Sequence, residues 1–264
     1  MRMTSQPDTD SRSDYLETVS ELCVLARSFA KEAADRRFDV VQKADRSPVT
    51  DFDKTLERAL RSRIRDRHPD DAIVGEEYGA SIGSSTSRRR WILDPLDGTR
   101  AFVTGSPLWG TLIGVLHDGI PWIGAVELPM LGDRIIAATD SLHSPSGSAR
   151  PRVESLCVAR LCTTTPDKFT ARQSESYKAL VRSVSVHRYG GDCFNYVALA
   201  RGQCDLVVEA GLAPHDYLPI VPVIESAGGR ITDWHGRDLT ESSDGTVLAA
   251  SGDALHFDAL RLLA

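Results

Sequence analysis

Acidic side chains stand in four short clusters along the chain, and residues of this type can bind a divalent cation. Carboxylates that meet at one point repel each other, and each of them resists ionisation. A hard divalent cation removes this repulsion, and ligand sets made of oxygen alone suit Mg²⁺. If folding brings the clusters together, the sequence predicts a magnesium site. The four clusters are Asp51 with Asp53, Glu76-Glu77, Asp94 with Asp97, and Asp216.

The third cluster combines candidate metal ligands with a candidate anion-binding turn. The apolar run 91–93 predicts a buried strand that ends at Asp94, and the following turn can direct Asp94 and Asp97 towards one point. Gly98 allows the backbone to approach a ligand closely. A helical turn that begins at Thr99 would direct its free N–H groups towards an anion. This segment therefore predicts metal ligands beside a phosphate-binding turn.

Each cluster taken alone has an ordinary structural interpretation. Asp-x-x-Asp-Gly sequences often form side-chain turns, and exposed acidic pairs such as Glu76-Glu77 are common. Asp216 alone could cap the N-terminus of a helix. It is the combination of the clusters that favours a metal site.

Hydrophobic periodicity and turn residues predict the elements that must position these acids. The predicted helices are Asp14–Ala34, Asp53–Arg67, Asp192–Arg201, Asp216–Ala227 and a short C-terminal helix. The predicted strands are 91–93, 111–116 and 122–127 joined by a turn at Asp118-Gly119, and 135–138, 205–209, 230–232 and 247–250.

The order of these elements predicts an α+β half followed by an α/β half. A stretch rich in Ser, Pro and Gly at 141–152 suggests the boundary between them. We expect residues 1–13 to form a disordered lead-in, residues 14–145 to carry most metal ligands, and residues 146–264 to carry substrate-recognition residues. The two halves should form a single compact catalytic unit. The polar stretch 81–90 is interpreted as a solvated loop.

The overall composition argues against several classes of partner. The 37 acidic residues outnumber the 31 basic residues, which argues against nucleic acid as a partner. No apolar run approaches the roughly 18 residues needed to span a bilayer, and the N-terminus lacks the pattern of a secretory signal. The five cysteines are irregularly spaced, which favours reduced thiols. We therefore expect a cytoplasmic protein.

At this point the motifs resemble those of the inositol monophosphatase superfamily. The matching segments are 75–77 (Gly-Glu-Glu), 94–99 (Asp-Pro-Leu-Asp-Gly-Thr) and Asp216, followed by 225–229 (Glu-Ser-Ala-Gly-Gly). The resemblance implies a layered αβαβα sandwich of the sugar-phosphatase type, similar to fructose-1,6-bisphosphatase. It also implies a Mg²⁺-dependent phosphomonoesterase with two or three ions per site, a small phosphorylated metabolite as substrate, and a homodimer.

The resemblance further implies a role for individual residues. The tighter metal would be held by Glu76, Asp94 and the Leu96 carbonyl. The second metal would be held by Asp94, Asp97 and Asp216. The implied catalytic residues are Asp53, Thr99 and Glu76, and the first two act on the attacking water. The residues expected to bind the phosphate are Gly98, Thr99 and Lys43. The spacing of Lys43 differs by one residue from that of the family.

The sequence lacks the usual patterns of a side-chain nucleophile, and this indicates which group attacks the phosphate. Neither a Ser-His-Asp pattern nor a Cys-x₅-Arg pattern is visible, so water must attack the phosphorus. Metal coordination makes water more acidic, and a second metal can stabilise the leaving oxygen. Phosphoryl transfer otherwise depends mainly on positioning and charge neutralisation.

Two later segments indicate which phosphate ester is hydrolysed. The segments 189–196 and 205–212 resemble the histidinol-phosphatase branch of the superfamily. Histidinol phosphate carries an amine and an imidazole, whereas a polyol phosphate carries no cation. Asp192 and Glu209 could pair with the ammonium group of such a substrate. Asp192 could alternatively cap the helix that starts at Cys193.

Other functions remain alternatives, and some residues depart from the family pattern. The alternatives are an inositol monophosphatase, another small-metabolite phosphatase, and, less favoured, a non-catalytic binding protein. His187 and His215 could act as acid–base groups, but we interpret them as structural or surface histidines. His215 replaces a tryptophan of the family. Phe52 stands where a small residue is usual, and Arg100 replaces a common lysine.

Overall fold

The structure is a computed structural model that describes residues 9–33, 40–42, 48–84, 87–139, 141–143 and 153–263. Its side chains are described within 12–32, 51–84, 87–139 and 153–263. Among the described helices, none combines the length and the apolar character needed to cross a membrane.

Two amphipathic helices open the fold. Helix α1 spans Thr9–Ala33 and helix α2 spans Asp51–Arg67. Helix α2 buries one face at four-residue spacing and ends before His68-Pro69, as predicted. Helix α1 begins earlier than the predicted Asp14, inside the expected lead-in. Its first turn is polar, so no apolar periodicity marks its start.

The first half of the chain forms a seven-stranded sheet and a two-stranded ribbon within the described residues. The sheet has the order β4-β3-β5-β6-β7-β8-β9, and its neighbouring strands are antiparallel except for the parallel pair β3 and β5. The predicted turn at Asp118-Gly119 joins β6 and β7, and both residues have positive φ. The strands are β1 Val40–Gln42 and β2 Pro48–Thr50 in the ribbon, and β3 Ala72–Gly75, β4 Gly79–Ser81, β5 Arg89–Asp97, β6 Gly110–His117, β7 Ile120–Leu128, β8 Asp133–Ala138 and β9 Ser141–His143 in the sheet.

The second half forms a five-stranded mixed sheet in the order β11-β10-β12-β14-β13. Its strands are β10 Arg160–Thr163, β11 Val186–Tyr189, β12 Leu206–Glu209, β13 Arg230–Thr232 and β14 Val247–Ala250. The helices that follow α2 are α3 Thr99–Val103, α4 Ala171–Ser183, α5 Phe194–Ala200, α6 Pro214–Tyr217, α7 Ile220–Ser226 and α8 Asp253–Leu263.

Buried apolar clusters separate five layers. Alternate residues of β5 point to opposite faces of its sheet: Trp91 and Leu93 pack with α1 and α2, whereas Ile92 packs in a cluster that contains residues of α5 and α7. A further cluster joins the second sheet to α4 and α8. The layers therefore run α1 with α2, first sheet, α5 with α7, second sheet, α4 with α8. This is the layered αβαβα sandwich that the resemblance implied.

The predicted continuous helix 216–227 is wrong. The structure has α6 and α7 as separate short helices with Leu218 and Pro219 between them. Pro219 and Pro222 both lack an N–H, so the helical hydrogen bonds to the carbonyls of His215 and Leu218 cannot form.

The sequence interpretation also missed elements between 153 and 189. Helix α4 carries a capping box in which Thr170 and Gln173 bond reciprocally, and this pattern was readable in the sequence. Strands β10 and β11 are short, with four residues each. Strand β11 is exposed along its whole length, so it shows no alternation of apolar and polar residues.

Candidate active site

Strand pairing brings the second and third acidic clusters together. Strands β3 and β5 are parallel, and Gly75 is paired with Leu93. The next residue of each strand is an acid, Glu76 and Asp94, and the backbone N–H of Glu76 donates to the carbonyl of Leu93 at 3.1 Å. The shared end of two parallel strands therefore places these two carboxylates side by side.

An irregularity in strand β5 brings Asp97 to the same point. The predicted strand end at Asp94 is wrong, because β5 continues to Asp97. Asp94 pairs with Leu112 and Asp97 with Gly110, so β5 has one more residue than β6 in this interval. Residues three apart in a regular strand point to opposite faces, and a bulge corrects this. The extra residue explains how Asp94 and Asp97 reach one site.

Asp216 comes from helix α6 of the second half. It lies at the third position of the helix, and its Oδ2 accepts the N–H of Ala213 at 2.8 Å. It is therefore not the N-cap residue. Helix α7, which follows, lies close to the first sheet at Gly124, where a Cβ would collide with the carbonyl of Pro219.

The resulting constellation fits a divalent cation. Carboxylate oxygens of Asp94, Asp97 and Asp216 lie within 4.8 Å of one another, and Asp94 also lies within that distance of Glu76. Burial, followed by the charges of Glu76, Asp97 and Asp216, raises the pKa of Asp94 well above its ordinary value. Burial, Asp192 and Asp216 likewise raise the pKa of Asp97. Buried acids that oppose each other's ionisation require a counter-charge, and their oxygen donors suit a hard cation such as Mg²⁺.

A buried glutamate of helix α2 supports the loop that carries Glu76. The carboxylate of Glu57 accepts the backbone N–H groups of Glu77 at 2.7 Å and Tyr78 at 3.3 Å. Arg61 donates to the same carboxylate at 2.7 Å and also donates to the carbonyl of Gly79. Glu57 is fully buried, so these contacts fix the loop next to the acidic cluster.

The turn after Asp97 has the shape expected for an anion-binding turn. Gly98 has φ 88 and directly precedes α3, which begins at Thr99 as predicted. The hydroxyl of Thr99 donates to the carbonyl of Leu96 at 3.1 Å. Asp97 accepts the backbone N–H of Cys193 at 2.5 Å, which joins this turn to the start of α5.

The structure places both predicted recognition acids on the wall of a cavity of about 410 Å³. Burial raises the pKa of Asp192 to about 6, although Lys168 and Arg100 lower it. Glu209 is buried at the end of β12 and accepts from Thr164 N at 2.7 Å and Thr163 Oγ1 at 3.2 Å. Burial still raises the pKa of Glu209 to about 7.

The same cavity contains most of the predicted metal and phosphate residues. They are Glu76, Asp94, Leu96, Asp97, Gly98, Thr99 and Asp216. Asp53 is buried in the first turn of α2 and is not among the described residues of the cavity wall. The ring of Phe52 stacks on that of Phe102 in α3, with the ring centroids 5.2 Å apart. The first turn of α2 therefore lies next to α3, which begins at Thr99. Lys43 lies outside the described residues.

Sequence reasoning missed several cavity residues. Lys168, Arg100, Thr164 and Tyr196 belong to the wall. Tyr196 is 4% exposed, and its hydroxyl has no hydrogen-bond partner among the residues that the structure describes. Its place in the motif 189–196 was the available signal. Asp192 does not cap α5, because Cys193 is the N-cap residue and Asp192 has φ 46.

A layered sandwich with a carboxylate cluster in its cavity defines the class of sugar phosphatases that depend on divalent metals. A model of the inositol monophosphatase family matches residues 12–262. The chain therefore belongs to the inositol monophosphatase family, whose phosphatases act on small phosphorylated substrates.

Individual relatives of the chain have three different kinds of name. The chain is 41% identical over 237 residues to the chloroplastic bifunctional phosphatase IMPL2 of Arabidopsis thaliana, which covers 86% of this chain and 68% of that protein. It is 34% identical to a histidinol-phosphatase of Mycobacterium tuberculosis, over 88% of this chain and 89% of the relative. A solved inositol monophosphatase from Zymomonas mobilis superposes with TM-score 0.84 at 34% identity, covering 95% of this chain and 98% of that one.

Proposed function

We propose that this phosphatase hydrolyses L-histidinol phosphate to L-histidinol and phosphate, a step of histidine biosynthesis. The observation that carries the proposal is a second pair of acids in the cavity, Asp192 and Glu209, which the proposed metal site does not use. A polyol could donate hydroxyl hydrogen bonds to these carboxylates, but only a cationic substrate would also compensate their negative charge.

Burial disfavours the ionised forms of these two acids, and a cationic group of the substrate would restore them. The pKa of Asp192 is raised to about 6 and that of Glu209 to about 7 because both are buried. A bound ammonium or imidazolium group stabilises their ionised forms and gains charge-assisted hydrogen bonds. A neutral polyol would leave the acids without a cation, which disfavours its binding.

The names of the relatives support the same substrate without deciding it. A histidinol-phosphatase name occurs at 34% identity, and a relative from Chlorobaculum parvum with the same name is 31% identical. The Zymomonas mobilis structure is named an inositol monophosphatase. The alternative function is therefore hydrolysis of inositol phosphate or another small ester in the same site.

One group of residues in the proposed mechanism would bind the metal ions. Glu76, Asp94, Asp97, Asp216 and the Leu96 carbonyl would hold two or three Mg²⁺ ions. When bound, these ions supply positive charge for the phosphate and make water more acidic.

The remaining residues of the proposed mechanism act on the water and the phosphate. Asp53 and Thr99 would orient the attacking water, and the carboxylate of Asp53 would accept its proton. The N–H groups at Gly98 and Thr99 would bind the phosphate, and the family resemblance adds Lys43 to the phosphate-binding residues. We infer a cytoplasmic homodimer in which the halves 14–145 and 146–264 form one catalytic unit.

The test is phosphate release from L-histidinol phosphate and from inositol monophosphate by the purified chain with Mg²⁺. We expect kcat/KM to be at least about 100-fold higher for histidinol phosphate, because only this substrate satisfies both recognition acids. Asp94→Asn serves as the inactive control in both assays. Equal or faster hydrolysis of inositol phosphate would overturn the proposed substrate. Phosphate release that Asp94→Asn does not reduce would contradict the proposed catalytic site.

A further inference from the structure

His215 lies inside the acidic cluster. It belongs to α6, directly before Asp216, and its side chain is 20% exposed on the cavity wall. One of its ring nitrogens lies with carboxylate oxygens of Glu76 and Asp94, and all three atoms are within 4.8 Å of one another. The sequence interpretation of His215 as a structural or surface histidine does not explain this position.

Two other histidines of the chain show what a structural histidine looks like here. His68 and His256 are buried, and their Nε2 atoms lie 2.9 Å from the hydroxyl of Thr18 and 2.8 Å from that of Thr232. The ring of His215 makes no such hydrogen bond within the described residues. Its Nε2 lies 3.4 Å from Asp216 Oδ1, longer than the roughly 2.7–2.9 Å of a charge-assisted bond.

We propose that His215 is a nitrogen ligand of the divalent cation held by Glu76 and Asp94. Ligand atoms on opposite sides of a small divalent ion lie about 4 Å apart, so the three donor atoms need only a small adjustment to bind one ion. Neutral imidazole is a common metal ligand.

The geometry of α6 allows two neighbouring residues to serve two ions. Successive side chains on a helix point about 100° apart, so His215 and Asp216 can reach different positions. Asp94 belongs to both clusters, one with Glu76 and His215 and the other with Asp97 and Asp216. The backbone N–H of Ala213 donates to Asp216 Oδ2 at 2.8 Å, and this hydrogen bond holds the start of the helix in place. Asp94 would therefore lie between an ion with a nitrogen ligand and an ion with oxygen ligands alone.

A nitrogen donor changes the metal preference of the ion position formed by Glu76, Asp94 and His215. Imidazole binds Mn²⁺, Co²⁺ and Zn²⁺ better than Mg²⁺, whereas carboxylates and carbonyls suit Mg²⁺. The position at Glu76 should therefore favour transition-metal ions more than a position with carboxylates alone. The second position, with Asp97 and Asp216, should keep its preference for hard cations.

The test is pulsed electron paramagnetic resonance of Mn²⁺ bound to the full chain without substrate, which detects ¹⁴N nuclei bonded to the ion. We expect ¹⁴N coupling in the wild-type chain and its loss in His215→Gln. The matched control is His187→Gln, since His187 lies on exposed β11 outside the described cavity wall and should leave the coupling intact. Titration calorimetry should show Mn²⁺ affinity reduced about tenfold in His215→Gln, with a smaller change for Mg²⁺.

A second variant separates a lost ligand from a damaged fold. His215→Trp restores the family's residue and should keep the thermal midpoint while losing the ¹⁴N coupling. Bound Mn²⁺ without ¹⁴N coupling in the wild type, or coupling that persists in both variants, would overturn the proposal. Failure of the chain to bind Mn²⁺ would overturn it together with the cation site. None of these outcomes depends on which phosphate ester is the substrate.

Discussion

The buried carboxylates of the cavity fall into two groups with different chemical needs. Burial, followed by the charges of neighbouring acids, raises the pKa of both Asp94 and Asp97. A bound divalent cation would remove the repulsion within this group. Glu209 is held by hydrogen bonds from Thr163 and Thr164, and Asp192 lies on the same wall. This second group can act on a substrate because the proposed metal site does not need it.

Replacing Asp192 by Asn should affect a cationic substrate selectively. Asparagine keeps the shape of aspartate and tolerates the left-handed backbone that Asp192 adopts at φ 46. Loss of one charge-assisted hydrogen bond, about 1.5–3 kcal/mol, should raise KM for L-histidinol phosphate roughly 10- to 100-fold. Hydrolysis of the phosphate ester of an uncharged alcohol should change little. Steady-state kinetics on both substrates measures the difference between the two KM changes.

The matched control for this variant is Asp238→Asn. Asp238 pairs with Arg230 on the surface, and its side chain is 84% exposed, so its loss should leave both substrates unaffected. An equal loss of activity on the two substrates in Asp192→Asn would show that Asp192 supports the site in general and does not recognise the ammonium group.

Motif residues could be located from sequence because their side-chain types limit their chemistry. Glu76, Asp94, Asp97 and Asp216 were chosen as acids in compact motifs, and all four lie in one cavity. The proximity of His215 to Glu76 and Asp94 could not be predicted, because a single sequence does not show how close a histidine lies to acids that are remote along the chain. The roles of these residues remain predictions that the proposed experiments test.

At the scale of elements, the position of each acid depends on strand register and on loop support. The pairing of Gly75 with Leu93 places Glu76 beside Asp94. The bulge between Asp94 and Asp97 turns both towards the cavity. Glu57 of α2 then holds the loop that follows Glu76. Three separate elements must therefore keep their relative positions for one cation site to form.

Replacing Glu57 by Gln should weaken metal binding from a distance. A glutamine amide presents an NH₂ group where the carboxylate accepts, so one of the donors from Arg61, Glu77 and Tyr78 would lose its partner. We expect the affinity for Mg²⁺ to fall about tenfold and the free energy of unfolding to fall by about 1–3 kcal/mol. Titration calorimetry and chemical denaturation measure the two effects.

The same substitution at Glu175 provides the comparison. Glu175 lies on α4, pairs with Lys178 and has a side chain that is 73% exposed, so Glu175→Gln should change neither quantity. Unchanged Mg²⁺ affinity in Glu57→Gln would contradict the idea that this carboxylate positions the loop of Glu76.

Elements with strong local signals were predicted well, and those set by tertiary context were not. The β6–β7 hairpin was clear from two apolar runs around Asp118-Gly119. The extension of β5 through Pro95 was missed, because a proline directly after an acid usually marks the end of a strand. The bulge between Asp94 and Asp97 explains how the strand continues. The division between α6 and α7 was available in Pro219 and Pro222, but the apolar periodicity concealed it.

At the scale of the whole molecule, the cavity draws on both sheets. Glu76 and Asp94 follow or belong to strands of the seven-stranded sheet, whereas Glu209 ends a strand of the five-stranded sheet. Catalytic and recognition residues therefore come from different layers of one sandwich. The family and the layered architecture predicted from the motifs are confirmed, whereas the homodimer and the halves 14–145 and 146–264 remain predictions.

The central claim is that acids from separate elements share divalent cations in this cavity. An anomalous difference map from crystals of the full chain soaked in Mn²⁺ tests this most directly. The account predicts anomalous peaks within bonding distance, about 2.0–2.3 Å, of the carboxylates of Glu76, Asp94, Asp97 and Asp216. Peaks confined to other parts of the surface, with these four carboxylates lacking any ion, would contradict it.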